Sequence, residues 1–77
     1  KGLRGRVENV ERGFRRAARL GLWPGSVSPR VAALGMQSLI DGLISNWMID
    51  PEAFDLVRVG EQAIDAYLRG IHAAAAG

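Results

Sequence analysis

Few residues in this chain could do covalent or metal chemistry. It contains no cysteine and a single histidine, His72, which rules out a disulfide framework, a thiolate metal site and a histidine cluster. No second metal-binding group lies at a helical spacing from His72, so it reads as a cation-compatible residue near a helix C-terminus, not as a ligand. Nothing calls for a catalytic residue, a metal or a cofactor. The polar residues worth weighing are Gln37 and Asp41, one helical turn apart and bordered by Met36, Ile40, Ile44 and Met48. Two hydrogen-bonding groups among flexible apolar ones could orient a mostly hydrophobic guest in a cavity. They could equally sit at a helix edge against water or a neighbouring backbone. The residues alone leave both readings open.

The second chemical feature is charge. The net charge is +2, but residues 1–19 hold seven bases against two acids, a balance of +5, while the remainder holds three arginines against six acids, a balance of −3. A basic end of this kind points toward nucleic acid. Against that, Glu8–Arg12 and Glu11–Arg15 have the i,i+4 spacing with the acid N-terminal, the favoured order for helical pairs. No aromatic or amide reader stands beside Arg12, Arg15 or Arg19, so the expectation is a solvated face.

Three helices must position these groups. Leu3, Val7, Val10, Phe14, Ala17 and Ala18 recur at steps of three or four, predicting an amphipathic helix over 3–20, with Gly21 as its C′ residue and Trp23-Pro24-Gly25 as a turn. Ser28 is a good N-cap and Pro29 suits the first helical position. Asp50-Pro51 then ends a run over 29–49. Asp55 caps a third helix, about 55–72, whose residues Leu56, Val59, Gly60, Ala63, Ile64, Tyr67, Leu68 and Ile71 share one face. Ala73–Ala76 can extend it.

The second helix is apolar on two sides. Met36, Ile40, Leu43, Ile44 and Trp47 form a broad stripe, and Gly35, Ser38, Gly42, Ser45 and Asn46 form a stripe of small or short residues. Each glycine costs about 1 kcal/mol relative to alanine in a helix interior, a cost that close approach of another backbone would offset. A chain of 77 residues, 48% hydrophobic, cannot cover both faces from within one copy. An oligomer, or further polypeptide, is expected. A start at Lys-Gly-Leu without methionine suits a fragment of something longer. A membrane-spanning reading of 31–49 fails, because Asp41 alone would cost about 2.5–3.5 kcal/mol at a bilayer centre.

The block SLIDGLISNWMIDPEAFDL, with LGLWPGSVSPRVAAL upstream, resembles the C-terminal region of TetR-family transcriptional repressors, especially the branch controlling multidrug efflux pumps. The resemblance spans about Gly13 to Leu68, and the succession Gly-Leu-Ile-Ser-Asn-Trp to Phe-Asp-Leu is its most specific part. It implies an all-α fold, with residues 1–77 a C-terminal fragment of a regulatory domain that dimerises through a four-helix bundle. It also implies a cytoplasmic homodimer with a pocket for a small hydrophobic effector. Operator DNA would be read only through an N-terminal helix-turn-helix that this chain lacks. On that resemblance Met36, Gln37, Ile40, Asp41 and Ile44 are expected on the effector side. Gly35, Leu39, Gly42, Leu43, Asn46, Trp47, Leu56, Gly60, Ala63, Ile64 and Tyr67 are expected at the dimer interface. A self-standing helical interaction module is the alternative, and a small nucleic-acid binder using the arginine-rich helix is a third reading.

Overall fold

The computed structural model describes residues 2–23 and 27–76, with side chains described as far as His72. Three helices account for nearly all of it: α1 (Gly2–Arg19), α2 (Pro29–Ile49) and α3 (Leu56–Ala76). The expected boundaries hold to within a residue, except that α3 runs on through the alanines to Ala76. Of the turn expected at Trp23-Pro24-Gly25, Pro24 and Gly25 lie outside the described residues.

The end of α1, both ends of α2 and the start of α3 are each fixed by a local device. Gly21, at φ +78°, closes α1 by a Schellman motif: its N–H donates to Ala18 O at 3.1 Å and the Leu22 N–H donates to Ala17 O at 2.8 Å. Only a residue free of a Cβ adopts that φ without strain. Ser28 caps α2, its Oγ accepting from the Val31 N–H at 3.1 Å. Asp55 does the same for α3, accepting from the Arg58 N–H at 3.2 Å. Between α2 and α3, Asp50 organises the turn: its carbonyl accepts from Ala53 N–H and its carboxylate from Glu52 N–H.

Helix α2 lies between the other two, and α1 and α3 make no close backbone approach to each other among the described residues. The result is a slab of 41 × 31 × 15 Å, little thicker than one helix with its side chains. Its radius of gyration is 13.7 Å, against about 11.5 Å for a compact chain of this length. It exposes 5509 Å², whereas a compact monomer of this mass exposes about 4,600 Å². The core is correspondingly small: Val7, Ala32, Ala33, Met36 and Ile71 are its buried apolar members.

Candidate functional site: an apolar groove and a charged seam

Two small residues set how closely the helices approach. Ala32 and Ala33 are fully buried, and beside them Gly35 faces the ring of Tyr67 from α3. A Cβ at Gly35 would meet the Tyr67 hydroxyl at impossible range and its Cζ at 3.0 Å. The Tyr67 hydroxyl donates to Ala32 O at 2.8 Å, so the hydroxyl end of the ring is pinned against α2. Burial raises its pKa, since the phenolate would lose water without gaining a cation. The small size of Gly35 therefore serves a contact inside one chain.

Toward the α2–α3 turn the two helices enclose an open groove of 250 Å³, lined by Ile40, Leu43 and Ile44 from α2 and by Leu56, Val57, Gly60, Glu61 and Ile64 from α3. Its wall is almost wholly apolar, with Glu61 the one charged residue at the edge. Ile44 and Val57 expose 41% and 69% of their surface, and Leu68 and Met48 are also exposed. Among the described residues, nothing beyond the helix's own nearby backbone lies within 4 Å of where a Cβ at Gly42 or Gly60 would stand. These glycines face space that the chain itself leaves unfilled.

The opposite flank of α2 carries the charged seam with α1. Asp41 Oδ1 accepts from Gln37 Nε2 at 3.0 Å and from Arg6 Nη1 at 3.2 Å. Farther along, Glu11 is buried between helices. It accepts from Arg15 Nε at 2.7 Å and, through its other oxygen, from Arg30 Nη1 at 3.1 Å. The hydrogen bond from Arg15 and, behind it, that from Arg30 hold the Glu11 carboxyl below its ordinary pKa, outweighing the upward push of burial. At the end of α1, Trp23 stacks obliquely on Phe14, ring centroids 4.8 Å apart, and donates from Nε1 to Val27 O at 2.7 Å.

The residues expected on the effector side divide between these two places. Ile40 and Ile44 line the groove, whereas Gln37 is buried, Asp41 is half-buried in the seam with Gln37 and Arg6, and Met36 is in the core. Of those expected at a dimer interface, Leu43, Leu56, Gly60 and Ile64 share the groove with Ile40 and Ile44. Leu39, Trp47 and Ala63 are half-buried, Asn46 is exposed, and Gly35 and Tyr67 meet each other. Sequence reasoning passed over Val57 and Glu61; at 100° per residue Val57 falls between Ile64 and Leu68, inside the α3 stripe, and belonged with it, whereas Glu61 lies just beyond Leu68.

One pairing expectation is corrected. Glu11–Arg15 forms, but Glu8 makes no ion pair among the described residues, and Arg12 instead donates to Asn9 Oδ1. Glu11 turns into the α1–α2 seam and is not part of the outer face at all. Among the described residues there is no group of acids and histidine that could hold a metal ion, and no helix is long and apolar enough to cross a membrane.

Against known proteins, the model of one family, the C-terminal region of MAATS-type transcriptional repressors, matches residues 4–73. Neither a curated protein nor a solved structure matches the chain.

Proposed function

The chain belongs to the family of MAATS-type transcriptional repressor C-terminal regions, a TetR-family part of non-enzymatic transcriptional regulators, and from that premise we propose that it supplies dimerisation and effector response to a ligand-responsive repressor. Residues 1–77 are then the C-terminal portion of its regulatory domain. The observation that carries this reading is the uncovered apolar groove between α2 and α3 in a slab one helix thick. An exposed apolar patch flanked by unfilled glycines is costly unless a partner covers it. The surface in excess of a compact monomer, about 900 Å², is close to the roughly 800 Å² that each partner contributes to a standard interface.

In the proposed two-fold four-helix contact, Gly42 and Gly60 admit the partner's helices, with Leu39, Leu43, Asn46, Trp47, Leu56, Ala63 and Ile64 around them. Gly35 and Tyr67 support the seam from inside by fixing the α2–α3 crossing. The effector is a small hydrophobic molecule, placed at the edge of the groove where Ile40 and Ile44 lie one helical turn from Gln37 and Asp41 of the α1 seam, which orient it, and Met36 backs them from the core. Control of an efflux or similar operon, in the cytoplasm, completes the proposal.

Gly42→Leu separates folding from association. A Cβ there meets nothing within 4 Å among the described residues beyond its own helix backbone, so helix content and single-chain stability should hold or rise slightly, because leucine is the better helix former. The partner's backbone would be pushed away, at a cost of about 1–3 kcal/mol, or roughly 5- to 150-fold in dimer affinity. Sedimentation equilibrium reads this directly. Dimers as tight as those of the original chain would remove Gly42 from the seam.

A further inference from the structure

The outer face of α1 carries a row of arginines that the sequence spacing disguises. Arg12, Arg16 and Arg19 are all exposed, and none makes an ion pair among the described residues. The acids that seemed to interleave with them do not neutralise this row. Glu11 is buried and already shared by Arg15 and Arg30, and Glu8 lies a turn before Arg12 without pairing to it. Steps of four and three place the three guanidiniums along one side of the last two turns, over about 10 Å of helix axis.

We propose that this row is a phosphate-contacting surface for duplex DNA, which it grips by charge without reading sequence. Arginine is suited to this because its planar fork donates two parallel hydrogen bonds to phosphate oxygens. Duplex DNA carries one phosphate per about 1.7 Å of axis, so three guanidiniums over this length meet a dense line of acceptors. A transcriptional regulator works at DNA, which favours this polyanion over others. An anionic membrane fits less well. The middle of the apolar side of α1 is already occupied, with Val7 1% exposed and Phe14 against Trp23, and the exposed Leu3, Leu20 and Leu22 lie apart at its two ends, not as one continuous apolar stripe to insert. The inference rests on the family and on α1, and is independent of the α2–α3 seam.

The test is binding of the 77-residue chain to a fluorescent duplex of arbitrary sequence between 50 and 200 mM salt. Three phosphate contacts predict a loss of about 40-fold in affinity across that range, a log–log slope of about −2.7 per chain. The triple variant Arg12→Gln, Arg16→Gln, Arg19→Gln should lose about that much slope, while Arg58→Gln, at an exposed arginine on α3, keeps it. Circular dichroism verifies that helix content is unchanged in each. No duplex binding at 50 mM salt, an unchanged slope in the triple variant, or an equal loss in Arg58→Gln overturns the proposal. So does capture by anionic phospholipid vesicles without DNA binding, which would point to the exposed Leu20 and Leu22. Because a dimer presents two rows and a steeper slope, sedimentation reads the oligomeric state of each variant at the same concentration, and slopes are compared per chain.

Discussion

Replacing Gly35 with alanine puts the packing of α2 against α3 to a quantitative test. In an open helix the change should stabilise by about 1 kcal/mol, because alanine loses less backbone freedom on folding. Here the new methyl group would stand 3.0 Å from Tyr67 Cζ and 3.3 Å from Cε1, with the hydroxyl closer still. An overpacked contact of this kind costs about 1–3 kcal/mol. Relief requires the ring to swing, which breaks the hydrogen bond to Ala32 O and gives up about 1 kcal/mol more. The net expectation is a loss of about 1–3 kcal/mol, and each kcal/mol should lower Tm by about 4–8 °C in a chain of this size. Thermal melts followed by helix ellipticity provide the assay, run at one protein concentration because association shifts Tm. The same substitution in a Tyr67→Phe background supplies the control. Removing the hydroxyl deletes both the nearest obstacle and the bond at stake, so Gly35→Ala should then be close to neutral. The double-mutant cycle should show a coupling of about 1–2 kcal/mol. A Gly35→Ala variant that melts above the parent would refute the reasoning, because helix propensity would then have won and Tyr67 would not be locked at that spot.

Two titrations follow from Glu11 and Tyr67. The folded-state pKa of Glu11 is depressed, so its contribution is fully present above the unfolded value near 4.5 and is lost as pH falls through the lower folded value. Glu11→Gln should therefore flatten the acid limb of stability against pH, as read by melts between about pH 3 and pH 7; an unchanged limb would mean that the Arg15–Glu11–Arg30 cluster does not form. For Tyr67 the shift is upward, so its contribution is present below the unfolded value of 10.0 and is lost as pH rises through the folded value. Tyr67 is the only tyrosine, so phenolate absorbance reports it alone. The folded chain should ionise at a higher pH than the urea-unfolded chain, and coincident titration curves would contradict a ring half-buried against α2.

The helices and their ends were legible in the sequence because the forces that set them are local. Ser28, Asp55 and Gly21 act on backbone groups within five residues, so their roles need no knowledge of the rest of the fold. The two-sided character of α2 was also readable, since side-chain directions around one helix follow from its 100° step. Which neighbour occupies each side is another matter. A helical wheel ranks the faces of a single element and is silent about the azimuth at which another element arrives. Gly35 therefore read as a site of close approach, but only the tertiary structure identified the approaching group as Tyr67 of the same chain. Asp41 and Gln37 read as polar residues beside an apolar stripe, and it took the position of α1 to bring Arg6, 35 residues away, onto Asp41. Glu11 is the sharpest case. Its spacing to Arg15 was correct, yet i,i+4 spacing does not say whether a pair faces water or a neighbouring helix. The arrival of Arg30 on α2 turned Glu11 inward and left Arg12, Arg16 and Arg19 without a neutralising acid.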